Sequence, residues 1–326
     1  MDQSIVTVVM SPRERFNLAL RSLASLYENT KIPFALIVVD GGSPRAIRRK
    51  LARAAHECGF RLIRRDHFLT PNEARNLAIL EVKTRYIAFV DNDVIYSPGW
   101  LDALVACAEE TGADIVGPLT CIGEPAHTRV HIAGGTCGFV EEGGARRFKD
   151  LQRFMNRALH DVAGQLKREP CDYAEFHCML ARTALFKRLG PLDEALKATR
   201  EHLDFCLSAK RLGAKVWFEP KSVVTQAAPE LIELSDIPFY LLRWSDDWAM
   251  GSMRHFMQKW DCQFDMAALR SNWIKKHRDE AIEPLRRPLR TLVGRRVADI
   301  LCAPIGSALE QIVIPRAVRR RPSGGP

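Results

Sequence analysis

The chain has 326 residues, of which 47% are hydrophobic and 27% charged, and this balance excludes a mainly disordered protein. No run of about eighteen apolar residues occurs, which argues against a membrane-spanning helix, and the N-terminal residues enter a strand pattern without a basic leader. We therefore predict a cytoplasmic protein. The nine cysteines form no C-x-x-C pair and lie mostly in apolar segments, so we expect reduced, packed thiols.

The net charge of +9 is concentrated near the C-terminal end. From residue 286 onward nine arginines stand against two acids, a local net charge of +7 that leaves +2 on residues 1–285. A nearly neutral body argues against nucleic acid as a partner. The tail interleaves arginines with apolar residues, which predicts peripheral binding to an anionic surface at the inner face of the membrane, with a solvated tail as the alternative. Pro304 and Pro315 are expected to break any long helix there.

Apolar runs and amphipathic helix patterns alternate along the first part of the chain. The strands are predicted at residues 4–10, 34–40, 60–65 and 85–93. Gly59 is expected to close the second helix, and Thr70 to cap the third. Such alternation with short connections predicts a mostly parallel α/β sheet with right-handed crossovers, whose ligands bind beyond the carboxyl ends of the strands.

The second part of the chain is less regular. Its predicted elements are a helix at residues 101–110 and strands at 113–120 and 215–220. Between these strands we expect Gly-rich turns at Gly134-Gly135 and Gly143-Gly144, and then a polar stretch that stays irregular as far as about Pro170. After the body ends near residue 226, Trp244 and Trp248 are spaced to share a helix face. Two tryptophans at this spacing are typical of a core, and stacking on a ligand is the alternative.

These patterns divide the chain into three parts. They are a body at residues 1–230, a helical extension packed on that body at 231–285, and a basic, partly amphipathic tail at 286–326.

The apolar strand at residues 87–90 ends on two carboxylates, Asp91 and Asp93. Residues two apart on an extended chain point the same way, so both carboxylates face one ligand. Beside a diphosphate such a pair requires a hard divalent cation between the charges, and oxygen ligands suit Mg²⁺ or Mn²⁺. A solvated turn is the alternative interpretation.

Two further segments offer polar groups near these strand ends. In VVDGGSP, Asp40 ends a strand and can accept a hydrogen bond from a nucleobase or ribose. One helical turn carries Asn72, Arg75 and Asn76. Arg75 can bind a phosphate or anchor the carboxylate of Asp91, and both interpretations stay open.

Five segments follow one another in a specific order: VVDGGS, EARNLAI, VDNDVIYSPGWL, EHLDFCLSAKRLG and VWFEP. In this order they resemble the family-2-type glycosyltransferases of the GT-A fold, over roughly residues 4–226. The resemblance implies a Rossmann-like, mostly parallel sheet flanked by helices, followed by a helical extension. It also implies inverting transfer from a nucleotide sugar, a UDP-sugar being favoured, with Mn²⁺ or Mg²⁺ as cofactor.

The resemblance also implies roles for single residues. Asp40 would contact the base, Asp91 the ribose or the metal, and Asp93 the metal on the diphosphate. Arg75 and Asn76 would complete the donor-binding set.

Two positions depart from the pattern of that family. His202 stands where the family carries the acid that acts as general base, between Glu201 and a leucine, and Asp204 keeps the later acid. Either the imidazole or Glu201 can serve as the base, since an imidazole accepts protons near neutral pH. Gln226 stands where many relatives carry a histidine that binds the metal, and an amide oxygen binds a hard ion weakly.

The sequence therefore predicts a glycosyltransferase of the hexosyl or hexosaminyl class, acting on a glycan or a lipid-linked acceptor in polysaccharide or glycolipid biosynthesis. A catalytically silent module that binds a sugar nucleotide or a glycan is the alternative. His177, beside the apolar segment CMLA, is interpreted as a structural histidine with its hydrogen bonds satisfied.

Overall fold

Strands and helices alternate along the computed structural model, which describes residues 4–11, 14–227 and 232–319. The strands are β1 (Val6–Ser11), β2 (Phe34–Gly41), β3 (Arg61–Arg65), β4 (Tyr86–Asp91), β5 (Val94–Tyr96), β6 (Ile115–Ile122), β7 (Val130–Ile132), β8 (Gly135–Glu142), β9 (Ala145–Gln152), β10 (Glu169–Pro170), β11 (Cys178–Arg182) and β12 (Val216–Gln226). The helices are α1 (Ala19–Asn29), α2 (Arg45–Cys58), α3 (Pro71–Ile79), α4 (Trp100–Thr111), α5 (Leu159–Val162), α6 (Thr183–Leu189), α7 (Glu201–Arg211), α8 (Ile237–Arg243), α9 (Gly251–Trp260), α10 (Met266–Ala268), α11 (Lys275–Glu280), α12 (Glu283–Val293) and α13 (Arg295–Arg319). Short 3₁₀ turns lie at Phe16–Leu18 and Ala163–Gln165, and π-helical segments at Asp246–Met250 and Leu269–Ile274.

One large sheet carries the fold, in the strand order β10-β12-β6-β11-β4-β1-β2-β3. β4, β1, β2 and β3 run parallel to one another, and β6 runs parallel to β12. β11 runs antiparallel between β4 and β6 and so joins the two parallel sets. The mostly parallel α/β sheet predicted from the sequence is confirmed.

The central strands are mostly apolar because helices cover both faces of the sheet. Every residue of β1 and of β4 is buried. Alternate residues enter two different clusters: Val9 and Phe89 pack on one side of the sheet, and Val8 and Ala88 on the other. The core therefore consists of two layers, and the polar residues that follow β4 are held on a rigid support.

The helix boundaries predicted from the sequence are confirmed at two positions. Thr70 caps α3, because its hydroxyl accepts from the Glu73 backbone N–H at 3.4 Å while the Glu73 carboxylate accepts from the Thr70 N–H at 2.6 Å. Gly59 ends α2 in the left-handed conformation with a φ of 71°.

The stretch expected to be irregular contains a regular β-hairpin, so that expectation was wrong. β8 pairs with β9 from Gly135 opposite Gln152 to Glu142 opposite Ala145. Gly143 and Gly144 form its two-residue turn with φ values of 62° and 74°, the conformation that tight hairpins require. Most residues of both strands are exposed or only half-buried, so the sequence lacks the alternation that marks a strand.

Trp244 and Trp248 do not share a helix face, contrary to expectation. α8 ends before Trp244, and the Ser245 hydroxyl caps the π-helical segment that follows. Trp244 packs in a cluster with Tyr240, whereas Trp248 packs in another with Phe16. Both side chains are buried, as a core role predicts.

The C-terminal helix α13 continues through Pro304 and Pro315, so the expectation that these prolines break it was wrong. Leu309, Val313 and Ile314 pack against the cluster that contains α8, and these tertiary contacts outweigh the local cost of proline. Within the described ranges, none of the helices combines the length and the apolar character needed to span a bilayer.

Candidate active site

The turn after β4 is tied to the loop after β1 at the carboxyl rim of the sheet. The Asn92 amide donates to the backbone carbonyls of Glu14 at 2.9 Å and Arg15 at 3.0 Å. The Asp91 N–H donates to the carbonyl of His177 at 3.1 Å. These bonds fix the two flanking carboxylates, Asp91 and Asp93, at one edge of the sheet, as the sequence predicted.

Asp93 is buried, and two side chains bind its carboxylate. Arg15 Nη1 lies 3.1 Å from Asp93 Oδ2, and Gln226 Nε2 donates to the same oxygen at 3.2 Å. Burial raises the pKa of the Asp93 carboxyl, and the charge of Arg15 opposes that rise. The carboxylate oxygens of Asp91 and Asp93 are hard donors, which fit Mg²⁺ or Mn²⁺ in chemistry, whereas Gln226 directs its amide nitrogen at Asp93.

Asp91 is accompanied by Arg75, which is also buried. Arg75 Nη2 lies 3.8 Å from Asp91 Oδ1, and its Nη1 donates to Asn72 Oδ1 at 3.2 Å. The guanidinium lies 3.8 Å from the centre of the Phe176 ring. The structure thus brings Arg75 to Asp91, as the anchoring interpretation required, and Arg75 also lines the neighbouring pocket.

Asp40 lies at the end of β2, fully buried. Its carboxylate accepts from the Ser43 backbone N–H at 3.1 Å and from the Ser43 hydroxyl at 2.7 Å, and it is ion-paired with Arg64. These bonds hold the carboxylate in the turn that follows the strand.

Asn76 is bound to the backbone around residue 192. Its amide donates to the Leu192 carbonyl at 2.9 Å and to Glu194 at 2.8 Å, while its oxygen accepts from the Leu192 N–H at 2.8 Å. Arg75 lines the pocket described next, whereas Asn76 does not.

A pocket of about 430 Å³ lies beside this rim. Its lining includes Arg75 and His177 next to Asp91, Glu201 and His202 at the start of α7, and Trp244 from the extension. The hairpin strand β9 contributes part of the wall. Of the donor-side candidates, Arg75 lines this pocket together with Glu201 and His202, whereas Asp40, Asp91 and Asp93 lie outside its lining.

Glu201 and His202 both line this pocket, whereas Asp204 does not. The His202 ring lies 5.8 Å from the Tyr173 ring, and burial lowers the pKa of the imidazole. A lowered pKa leaves His202 neutral at pH 7, in the form that accepts a proton.

The carboxylate of Asp204 is bonded to the extension. It accepts from Lys259 Nζ at 2.9 Å and from the Trp260 indole N–H at 2.8 Å, and burial raises its pKa. Asp204 therefore joins α7 to α9, while Glu201 and His202 at the start of the same helix face the pocket.

A cluster that the sequence analysis missed lies in the same pocket. Glu175 Oε2 is 2.9 Å from His131 Nε2 and 2.9 Å from His177 Nδ1, and Gln152 Nε2 donates to Glu175 Oε1 at 2.7 Å. Burial opposes ionisation of Glu175, but the two histidines hold the pKa of its carboxyl well below its usual range. His177 Nε2 also faces Asp91 Oδ2 at 3.9 Å.

His177 is thus hydrogen-bonded, as predicted, but it is also a pocket residue that links Glu175 to Asp91. Burial acts to lower the pKa of His177, and the carboxylates of Glu175 and Asp91 raise it above its ordinary value. The only sequence signal was the Glu-x-His spacing before β11. His131 lies in β7, far away along the chain, so no local pattern connects it with the other two.

Comparison with known proteins identifies relatives of the chain. The sequence model described as Glycosyl transferase family 2 matches residues 7–190. The chain is 25% identical over 219 residues to the pre-mycofactocin glycosyltransferase of two strains of Mycobacterium tuberculosis. That match covers 67% of this chain and 42% of the relative, so the chain spans about two fifths of the length of these curated proteins.

Solved structures show the same fold. The structure of GalNAc-T7 with UDP, GalNAc and Mn²⁺ matches with a TM-score of 0.55 at 12% identity, covering 83% of this chain and 57% of that chain. The mannosyltransferase PcManGT from Pyrobaculum calidifontis, in complex with GDP-Man and Mn²⁺, matches with a TM-score of 0.52 at 13% identity, covering 97% and 84%. At such low identity the likeness shows the fold alone, and it confirms the expected GT-A architecture.

Proposed function

This chain belongs to glycosyl transferase family 2, and from that premise we propose that it moves a sugar from a nucleoside-diphosphate sugar to an acceptor hydroxyl with inversion. The observation that carries the proposal is the pocket that Glu201 and His202 share with Arg75, whose guanidinium lies beside Asp91. A base for the acceptor, Glu201 or His202, and a cationic side chain for the donor phosphates, Arg75, would then share one pocket.

The donor is proposed to be a UDP-sugar bound at the rim with a divalent ion. The complexes of GalNAc-T7 and of the mannosyltransferase both contain a nucleotide and Mn²⁺, which supports this class of donor. Asp91 and Asp93, with the Gln226 amide, would hold the ion. When bound, such an ion neutralises the negative charge that develops on a departing diphosphate.

A side chain of this protein accepts the proton that the acceptor hydroxyl loses. His202 or Glu201 takes the proton from the acceptor hydroxyl, whose oxygen forms a bond to the anomeric carbon of the sugar. The bond from that carbon to the diphosphate breaks on the opposite face, and its electron pair leaves with the nucleoside diphosphate. Attack from the opposite face inverts the configuration at this carbon.

The acceptor is proposed to be a glycan or a lipid-linked sugar. Trp244 and Trp273 both line the pocket, and Trp244 is held by stacking on His277 with 3.8 Å between ring centres. Aromatic side chains in a fixed position offer an apolar surface with a polar group at one edge, which suits the faces of a sugar ring.

The tail is proposed to bind an anionic membrane surface. Leu292 and Ile300 are 79% and 72% exposed, and Arg295 and Arg296 lie exposed between them. Exposed apolar groups beside arginines favour the interface of a membrane that carries negative lipids.

Because part of α13 packs on α8, point changes test this surface better than removal of the tail. Leu292→Ser with Ile300→Ser should lower co-sedimentation with vesicles that contain an anionic phospholipid. Leu80→Ser is the matched control, since Leu80 is 84% exposed on the body. Equal sedimentation of all three proteins would exclude the tail as the binding surface.

The test of the catalytic proposal is a donor screen followed by product analysis. Thermal unfolding is measured with each nucleotide sugar, with and without Mn²⁺, because a bound ligand stabilises the folded state. The donor that raises the unfolding temperature is then incubated with sugar acceptors, and NMR establishes the anomeric configuration of the product.

We expect stabilisation by a UDP-sugar and a product of inverted configuration. Binding without turnover of any acceptor would support the silent binding module instead. A chain that no nucleotide sugar stabilises would contradict both.

A further inference from the structure

We propose that His131, Glu175 and His177 bind a divalent transition-metal ion, for which Zn²⁺ is the best chemical match, at a site beside the carboxylates of the rim. The inference does not depend on the proposed transfer reaction, because it concerns only the affinity of these side chains for an ion.

The three ligand atoms are already close together. One atom from each of the three residues lies within 4.8 Å of the others, and among the residues that the structure describes they form the one such group of three or more histidines, cysteines or acids. Ligands about 2.0–2.1 Å from a tetrahedral ion lie roughly 3.3 Å apart, so small movements of the side chains suffice.

The chemistry of the donors selects the ion. Two imidazole nitrogens and one carboxylate oxygen are the ligands of many zinc sites that keep an open position, whereas Mg²⁺ and Ca²⁺ prefer oxygen alone. The rim is oxygen-rich and the cluster is nitrogen-rich, so the two groups should prefer different ions.

Outer hydrogen bonds orient the ligands before any ion arrives. Gln152 holds the second oxygen of Glu175 at 2.7 Å, and the far nitrogen of His177 faces Asp91. Metal-binding histidines commonly direct their second nitrogen at a carboxylate or a carbonyl, which fixes the ring and its tautomer.

The cluster can be reached from the pocket. Glu175 is buried, but the side chains of His131 and His177 are 20% and 18% exposed, and all three line the pocket. An ion held by three protein ligands keeps positions for further ligands, and here these open toward the space that Glu201 and His202 also line. Water or a hydroxyl oxygen of a substrate is the class of ligand that would take such a position.

The test uses Co²⁺ as a visible probe on the full chain without an affinity tag, after treatment with a chelator. Co²⁺ is titrated by its visible absorbance, and Zn²⁺ is then added as a competitor. We expect one strongly bound Co²⁺ per chain, displaced by Zn²⁺. Removal of an outer hydrogen bond in Gln152→Ala should weaken binding about 10–100-fold.

Two ligand variants and two controls localise the ion. His131→Ala and Glu175→Gln should each weaken Co²⁺ binding by more than Gln152→Ala does. Asp93→Asn should leave it unchanged, since that residue belongs to the rim, and so should Cys58→Ser, which removes the exposed thiol. Circular dichroism establishes that each variant is folded, and His131→Gln replaces His131→Ala if the alanine variant is not.

Three outcomes would overturn the proposal. They are the absence of a tightly bound Co²⁺ in the wild type, full affinity in folded His131 and Glu175 variants, and loss of the ion in Asp93→Asn alone. None of these depends on turnover, so the metal site can fail while the transferase proposal holds, and the reverse.

Discussion

Two neighbouring regions differ in how the chain brings their residues together: the rim of the sheet, with Asp91 and Asp93, and the floor of the pocket, with His131, Glu175 and His177. At the rim, Asp91 ends the buried strand β4 and Asp93 comes two residues later, while β1 runs parallel beside β4 and β2 beside β1. On the floor, His131 comes from β7, whereas Glu175 and His177 precede the antiparallel β11. The carboxyl ends of parallel strands lie at the same side of a sheet, so a motif at a strand end predicts the position of the rim residues. On the floor, His131 is far along the chain from the other two residues, so their proximity is seen only in the folded structure.

The two regions also differ in how their carboxylates are compensated. Arg15 and Arg75 lie beside the rim carboxylates and keep their charge at any working pH. On the floor, His131 and His177 lie beside Glu175, and although burial acts to lower it, the carboxylates of Glu175 and Asp91 raise the pKa of His177. Substitutions and changes of pH should therefore affect the two regions differently.

The largest expected effect is in the pocket, at the start of α7. His202→Asn should lower the turnover rate about 10²–10⁴-fold, the usual contribution of a general base, with donor affinity nearly unchanged. Because burial lowers the pKa of His202, the wild-type rate should fall on the acidic side of about pH 6.5 as the imidazole becomes protonated. Steady-state rates across pH and donor binding by calorimetry measure both quantities.

Glu201→Gln is the comparison for that variant. If His202 is the base, Glu201→Gln should lower the turnover rate less than His202→Asn does. A His202→Asn enzyme with full activity and an unmoved acidic limb would leave Glu201 as the base.

The next effect lies at the rim. Asp93→Asn should weaken metal-dependent binding of the donor on the order of 10–100-fold, because a charge-assisted contact contributes about 1.5–3 kcal/mol. Calorimetry with a UDP-sugar, with and without Mn²⁺, measures the change, and the exposed Glu28→Gln is the control. Identical metal dependence in Asp93→Asn and wild type would remove Asp93 from the ion site.

A smaller effect tests the packing behind His202. A Cβ on Gly135 would lie 2.2 Å from the Tyr173 ring, which in turn lies beside His202. Gly135→Ala should therefore lower the free energy of unfolding by about 1–3 kcal/mol, measured by urea denaturation. Gly138→Ala, in the same strand with no atom within 4 Å of the added carbon, should cause no such loss. Equal stability of the two variants would mean that Tyr173 moves aside freely.

The smallest effect concerns the loop that supports the rim. Asp236 accepts from the Phe16 N–H at 3.3 Å, and burial raises the pKa of its carboxyl to about 6. A carboxyl whose pKa is raised by folding stabilises the folded state while it is protonated, and this contribution is lost as the pH rises through about 6.

Asp236→Asn should therefore raise the free energy of unfolding at pH 7.5 on the order of 1 kcal/mol and have little effect at pH 4. Urea unfolding at the two pH values measures it. A gain of equal size at both would show that ionisation of Asp236 is not the cause.

Prediction from the sequence succeeded where a local signal is sufficient. The cap at Thr70 and the close of α2 at Gly59 each follow from a short pattern. The hairpin β8–β9 was missed because exposed strands lack hydrophobic alternation, and α13 because tertiary contacts outweigh proline.

Motif positions say less about where a side chain is bonded. The roles inferred for Asn76 and Asp204 stay predictions, and the structure adds that Asn76 binds the backbone at residue 192 and Asp204 binds Lys259 and Trp260. The bonds of Asp40 to Ser43 and Arg64 were equally invisible in its motif. A motif specifies which residue ends a strand, but the partners of its oxygens come from elements that fold against it.

Arg15 has a consequence for how any divalent ion reaches Asp93. Since the Arg15 guanidinium already lies beside the carboxylate, an ion that binds Asp93 would replace one cation by another. The affinity for that ion would then reflect the difference in free energy between its interaction with Asp93 and the Arg15–Asp93 ion pair. Arg15 has a φ of 53°, and the Asn92 amide holds its carbonyl. Occupancy of the proposed ion site would therefore be coupled to the position of Arg15.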